Sequence, residues 1–327
     1  MTTDNSGEHA DWGVHREWHW RGHRCHWRHL GDAKHPALVL IHGFATGSGH
    51  WRRNAAALAA AGWSVYGLDL LGFGSSSQPS LRFDNRLWSR QLHGFLQEVV
   101  QEPAVLVGHS LGGLVALSCS VFFPRSVLAL IAAPLPDPTL LTVSAGGLAL
   151  ARSRRPPWRR RLKRWLVVVL CRLLPLEVFV PLLARSPLLN LAIQTAYRTP
   201  VIGDAELHRL IARPARQAGA VRALRAMSMA MALRPLRATA PSLLRRLRHP
   251  MLVIWGEKDA LVPLEVAWQC QRFQGELAIS VIPGAGHCPH DEKAALFNEV
   301  LVSWLGQLSI PPTPSHGGGQ GPRERVP

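Results

Sequence analysis

The chain is predicted to fold as an α/β protein, with a mostly parallel, eight-stranded sheet and a helical cap inserted late in the sequence. Three observations carry this expectation. Apolar runs of strand length, among them "ALVLIHGF" (37–44), "AVLVGHS" (104–110) and "MLVIWGEKD" (251–259), alternate with segments of helical length, the pattern of a parallel sheet covered on both faces. The 327 residues, 47% of them hydrophobic, suffice for one large domain with an insertion. Between Pro138 and Arg248 the alternation lapses into arginine-rich, leucine-rich pieces punctuated by proline.

The elements follow in order. After a flexible start (1–14), "WHWRGHRCHWRHLG" (18–31) alternates on both sides of Gly22 and reads as a β-hairpin turning at Arg21-Gly22. Trp18 and Trp20 then share a face with His23, Cys25 and Trp27, while Glu17, His19, Arg24, His26 and Arg28 form a polar face expected to be solvated. Four histidines and a cysteine invite a metal reading. His23 and His29 are about 20 Å apart at ~3.3 Å per residue, however, and zinc bonds span only ~2.0–2.3 Å, so no metal is expected there.

"ALVLIHGF" is a buried strand, and "GHWRRNAAALAAAG" a helix stopped by Gly62. "WSVYGLDLLGFG" supplies a strand and a turn; its "GFGSSS" lacks the spaced Gly and Lys-Ser/Thr of a phosphate loop. "NRLWSRQLHGFLQEVV" is a helix, "AVLVGHS" a strand, Leu111 to about Phe123 a helix and "VLALIAAP" a strand. Beyond the insertion come "MLVIWGEKD", the helix "PLEVAWQCQRF", the strand "ELAISVIPGAGH" and the closing helix "DEKAALFNEVLVSWL". The plan is a core in two parts (15–137 and 250–308), a cap (138–249) over the carboxyl edge where open α/β sheets bind ligands, and a Pro/Gly-rich disordered tail (309–327).

Charge divides the chain sharply. Residues 138–249 hold 21 basic residues against three acids, a net of +18, within a total of +16. Arg159, Arg160, Arg161 and Arg164 lead into "LVVVLCRLL", pairing basic with apolar residues as interfacial helices do, so an anionic membrane surface is an expected partner. Arg172, Pro175, Glu177 and Pro181 interrupt the stretch before the ~20 apolar residues of a membrane span. The five cysteines are scattered and form no C-x-x-C pair, which fits reduced thiols in the cytoplasm. The N-terminus reads as lacking a signal peptide. Nucleic-acid binding would call for interleaved aromatics or a recognised module, and the insertion offers leucine instead.

The chemistry is expected at Ser110. "GHSLGG" begins at Gly108 directly after a strand and directly before a helix, the context in which G-x-S-x-G marks a nucleophile on a sharp turn. A serine hydroxyl needs a base, and the base needs an orienting group. In the order Ser, acid, His, Asp259 and His287 each close a strand on the same edge as Ser110; Asp137, in "PLPDP", is the rival acid. Oxyanion donors are expected from the N–H groups of Leu111, after the nucleophile, and Phe44, in the loop after "LIHGF". No cofactor is called for.

Through "HGF", "DLLGFGSS", "GHSLGG", "GEKDALVP" and "GAGH", the sequence resembles the α/β-hydrolase superfamily with a cap domain. That resemblance implies a Ser110–His287–Asp259 triad served by Phe44 and Leu111, and an opening antiparallel hairpin. Haloalkane dehalogenases and epoxide hydrolases use an aspartate nucleophile, which Ser110 argues against. "GFATGSGHW" and "LDLLGFGSSSQP" are similar to cyanobacterial and plastid members, including chlorophyll and pheophytin dephytylases. The expected function is hydrolysis of an apolar carboxylic ester, membrane-derived or phytyl in type. The alternatives are other serine-triad chemistry, such as C–C hydrolysis or cofactor-free peroxidation, and a non-catalytic ligand-binding scaffold.

Overall fold

The computed structural model describes residues 11–142, 188–217 and 219–308, with positions 165, 166, 169 and 182. The tail, most of the N-terminal start and the basic stretch with Arg159–Arg164 lie outside the described residues.

Eight strands form one sheet: β1 (Val14–Trp20), β2 (His23–Leu30), β3 (Ala37–Ile41), β4 (Ser64–Leu68), β5 (Ala104–His109), β6 (Val127–Ala133), β7 (Met251–Gly256) and β8 (Ala278–Ile282), ordered β1-β2-β4-β3-β5-β6-β7-β8. β1 and β2 pair antiparallel, as do β2 and β4; every later pairing is parallel. From β3 the chain crosses outward to β4 and returns past β3 to β5. The reversal opens a crevice at the carboxyl ends of β3 and β5, where such sheets place ligands.

Alternation along the strands builds two cores. Val39, Ile41 and Leu106 pack on one face with Trp88 and Leu92 of α2 (Asn85–Phe95) and Leu114 and Val115 of α3 (Leu111–Phe122). Leu38, Leu40, Val105 and Val107 pack on the other, with Ala55 and Leu58 of α1 (Ala55–Ala60) and Phe297 and Leu301 of a helix over Ala294–Gly306. β3, β4, β5 and β7 are buried throughout, which explains their unbroken apolar runs. Two expected helices are shorter than their sequence patterns. The one before Gly62 starts as a 3₁₀ turn at Ser48–Trp51, and the closing one is preceded by a separate turn at Pro289–Glu292.

The hairpin pairs Trp18 with Cys25 and Trp20 with His23, turning where Arg21 and Gly22 both have positive φ. Its polar face is solvated only in part: Glu17, His19 and Arg24 are exposed. His26 and Arg28 are buried, because β2 pairs with β4 and the loop after β4 folds back over it. His26 Nδ1 meets Asp69 Oδ2 at 2.9 Å, and Asp69 also accepts the N–H of Ser75 at 2.8 Å. Burial alone would raise the Asp69 pKa, but His26, His42 and the Ser75 N–H hold it well below the usual carboxylate range. The hairpin histidines are engaged separately: His26 with Asp69 and His15, His29 with Ser64.

Between β6 and β7 the described helices are a single turn at Thr139–Thr142, then α4 (Leu188–Gln194), α5 (Ala205–Ala215), α6 (Ala220–Ala232) and α7 (Ala240–Leu244). Among the described residues, no helix is long and apolar enough to cross a membrane.

Candidate active site

Ser110 links β5 to α3 with φ 49° and ψ −114°, a backbone conformation costly for a residue with a Cβ and held only where the surroundings over-determine it. The surroundings do so. The Ser110 N–H donates to the Ala133 carbonyl at 3.1 Å, and its own carbonyl accepts from Gly113 N–H at 2.9 Å. A Cβ on Gly108 would collide with the backbone of Gly112 and Gly113, and one on Gly112 with the Ile41 carbonyl. Both glycines are therefore required for the helix to start so close to the sheet.

Two further loops converge on this turn. His287, beyond β8, places Nε2 3.0 Å from Ser110 Oγ, and its Nδ1 lies 2.8 Å from Asp259 Oδ2, beyond β7. A carboxylate only accepts, so Nδ1 carries the proton and Nε2 offers its lone pair to the hydroxyl. The other Asp259 oxygen accepts the N–H groups of Leu261 and Val262 at 2.8 and 2.9 Å, which fixes the carboxylate plane. All three side chains are buried.

The loop carrying His287 is docked on the insertion. The His287 N–H donates to the Ala196 carbonyl at 2.8 Å. Glu292 accepts from Gly286 N–H at 2.8 Å with one oxygen and from Arg198 N–H at 2.6 Å with the other. Arg198 Nε donates to the Lys258 carbonyl, next to Asp259, at 2.7 Å.

The structure places Asp137 elsewhere. Its Oδ1 accepts from the Thr139 N–H and hydroxyl at 3.0 and 2.7 Å, and its Oδ2 from Ala240 N–H at 2.7 Å and Arg234 at 2.8 Å. Both oxygens are occupied in tying the end of β6 to the returning insertion, so Asp137 does not orient His287.

Leu111 opens α3, where an N–H has no acceptor within its own helix. Phe44 follows β3 in a loop braced by His42. Leu70 N–H donates to His42 Nε2 at 3.0 Å, so the protonated Nδ1 donates to the Gly43 carbonyl at 2.7 Å. Among the described residues, neither the Leu111 nor the Phe44 N–H donates to a protein acceptor. The Phe44 ring packs edge-on against Phe73, their centroids 5.5 Å apart, and both line a cavity of about 180 Å³ whose far wall includes Ile211, Leu224 and Met227 of the insertion.

Behind the site lies a group that sequence reasoning missed. The ring nitrogens of His50, His109 and His290 lie within 4.8 Å of one another, the one convergence of metal-ligating atoms among the described residues. Hydrogen bonding orders part of it. Tyr197 Oη donates to Asp291 at 3.0 Å, so it accepts from His50 Nε2 at 2.7 Å, and His290 Nε2 donates to His50 Nδ1 at 3.3 Å. His109 Nε2 donates to the His287 carbonyl at 3.1 Å. Burial lowers all three pKa values, that of His50 to about 4. Asp291 in turn pairs with Arg52, which is 3% exposed and also binds Asp204 and Glu206 of the insertion. The partners lie 94 to 240 residues apart, beyond any local sequence signal.

Over residues 38–300 the chain matches the sequence profile of the Alpha/beta hydrolase family. It is 29% identical over 294 residues to a 2-hydroxy-6-oxononadienedioate/2-hydroxy-6-oxononatrienedioate hydrolase of Paraburkholderia phymatum, covering 87% of this chain and 91% of that one. With the dihydrolipoyllysine-residue acetyltransferase component of the acetoin cleaving system of Pseudomonas putida it shares 28% identity over 289 residues, 87% of this chain and 67% of the other. Its fold superposes on a putative lipase from Acinetobacter baumannii with a TM-score of 0.70 at 19% identity, over 90% and 91% of the two chains. With its eight-stranded sheet and a match spanning most of its length, the chain belongs to the alpha/beta hydrolase family.

Proposed function

We propose that the protein is a serine hydrolase that cleaves an apolar carboxylic ester through an acyl-enzyme. The observation that carries this is the unbroken line from Ser110 Oγ through His287 to Asp259, at 3.0 and 2.8 Å, with the serine on a strained turn. Ser110 Oγ attacks the ester carbonyl carbon while its proton passes to His287 Nε2. Asp259 holds the resulting imidazolium by Nδ1–H, and the N–H groups of Leu111 and Phe44 receive the oxyanion. The proton then goes to the departing alkoxide, and water repeats the sequence to release the acid and restore Ser110.

The apolar cavity beside Phe44 supports a hydrocarbon substrate. Exposed Trp165, Leu166 and Leu182, in a segment whose sequence is rich in arginine, support its delivery from an anionic membrane surface. The test is a panel of short-chain to long-chain esters, phytyl esters of chlorophyll pigments included, run with wild type and Ser110→Ala beside labelling by a fluorophosphonate. Ester turnover and labelling that both depend on Ser110 are expected; turnover that persists in Ser110→Ala overturns the reading. Sedimentation with anionic vesicles at low salt tests the membrane surface, and protein left in the supernatant refutes it.

Similarity to the Paraburkholderia phymatum hydrolase favours a second reading, cleavage of a C–C bond next to a ketone by the same three residues. Adding a 2-hydroxy-6-oxo-dienoate to the panel separates the two.

A further inference from the structure

A second cavity, of about 560 Å³, lies beside the apolar one; both run along the loops after β3 and β4, and both reach Pro214 of α5. Its lining is of opposite character. Arg209, Arg213 and Arg216 stand at i, i+4 and i+7, the spacing of one helix face, and all three line it from the insertion. Arg28 of β2 lines it from the core, with a side chain only 9% exposed. Three carboxylates share the lining, and each is engaged by a different base. Asp69 meets His26 at 2.9 Å, Glu206 accepts from Arg52 at 3.0 Å, and Asp11 meets His15 at 2.9 Å while standing 3.8 Å from Arg28. Burial lowers the pKa of Arg28, and the charge of Arg213 adds to the lowering against the pull of Asp69, Asp11 and Glu206. Core and insertion thus bring positive charge to one space.

Such a lining suits an anion that carries more than one charge and presents oxygens in several directions. A carboxylate offers two oxygens in one plane. A phosphate monoester offers three acceptor oxygens and a charge of about −1.5 to −2 at neutral pH, and guanidinium groups match its geometry. The volume is that of a small-molecule pocket, far more than a bare phosphate fills. We infer that this cavity binds an organic phosphate monoester, with Arg28, Arg209 and Arg213 holding the phosphate. Ser110, His287 and Asp259 are not among the described residues that line it, so the ligand is bound and not cleaved. Because α5 also walls the apolar cavity at Ile211 and Pro214, an occupied site ties that wall to the core through the anion.

The test is calorimetric titration of the full-length protein with phenyl phosphate, beside benzoate and inorganic phosphate. Phenyl phosphate is expected to bind once per chain, about tenfold or more tightly than either control, with an affinity that falls as salt rises. The double variant Arg209→Gln, Arg213→Gln should weaken it about tenfold or more. Both residues are exposed, so the melting temperature without ligand should hold. Arg245→Gln with Arg248→Gln, which removes two arginines outside this cavity, should leave binding unchanged. Binding should also be equal in Ser110→Ala, so a failure of the ester reading leaves this result untouched. Vesicles of phosphatidic acid in phosphatidylcholine separate the sources of the phosphate: displacement of phenyl phosphate assigns the site to a lipid headgroup, and its retention to a free organic phosphate. The inference is overturned if phenyl phosphate fails to bind at millimolar concentration, or if it binds equally well to the Arg209→Gln, Arg213→Gln variant. In either case the arginines are only a solvated face.

Discussion

The carboxyl edge of the sheet and the segment between β6 and β7 are held in place by different means. At the edge, Ser110, Asp259 and His287 each sit within a few residues of a strand end, and short backbone bonds set their directions. The insertion is tied to the core by contacts between residues distant in sequence: Arg52 with Asp204 and Glu206, Tyr197 with His50, Arg234 with Asp137. Local structure sets Ser110 and the Asp259 carboxylate, the His287 loop leans in addition on the backbone of the insertion at Ala196, and long-range polar contacts between side chains fix the chamber above. The side chains of the pocket wall can therefore vary while the reacting groups stay put, provided the backbone at Ala196 keeps its path.

The largest expected effect lies at the edge. Ser110→Ala or His287→Ala should lower turnover by about three decades or more, with the melting temperature nearly unchanged. A melting temperature that falls along with turnover would mean these side chains hold the fold, and the contrast between the regions would fail. Arg52→Met should do the reverse. It leaves Asp291, 2% exposed, without its main counter-charge, which costs about 3–5 kcal/mol for a buried pair, measurable by urea denaturation. A loss under 1 kcal/mol would show that the insertion is held by other means.

The two aspartates sharpen the comparison. Asp137→Asn should cost about 1–3 kcal/mol of stability while turnover per folded molecule holds, whereas Asp259→Asn should cut turnover by decades. If Asp137→Asn is the change that abolishes turnover, the acid role belongs to Asp137.

The most gradual effect is a pH dependence. His50, His109 and His290 are neutral in the fold, and each takes a proton near its ordinary pKa of 6.5 once unfolded. Falling pH therefore loads the unfolded state first. Stability should be lost from about pH 6.5 down toward 4, where His50 protonates within the fold, by up to about 1.4 kcal/mol per pH unit for each ring. Melting curves across that range, with His50→Gln for comparison, should show a shallower decline in the variant.

The eight strands were legible because unbroken apolar runs mark buried strands and Gly62, Gly22 and Gly108 mark their limits. The hairpin's two faces were legible too, from a period of two. The fate of its polar face was not: alternation tells which residues share a side but not what covers that side, and Asp69, which covers His26, is 43 residues away. Asp137 shows the same limit. Its position after a strand fits an acid at the edge, yet its bond to Ala240 N–H spans 103 residues. The histidines behind the site belong to the turn at Ser48–Trp51, the end of β5 and the turn at Pro289–Glu292, which only the fold assembles.

The junction between the His287 loop and the insertion is asymmetric. On the insertion's side it uses the carbonyl of residue 196 and the N–H groups of residues 198 and 199, which almost any amino acid supplies, together with one side chain, Arg198, whose Nε donates to the Lys258 carbonyl. On the core's side it uses one particular side chain, Glu292. A replacement insertion of unrelated sequence can therefore keep most of this junction if its chain follows the same path, whereas losing Glu292 would remove the side chain that holds the insertion at the His287 loop. For recombination between relatives, a crossover inside the insertion is tolerated far better than one that separates Gly286 from Glu292.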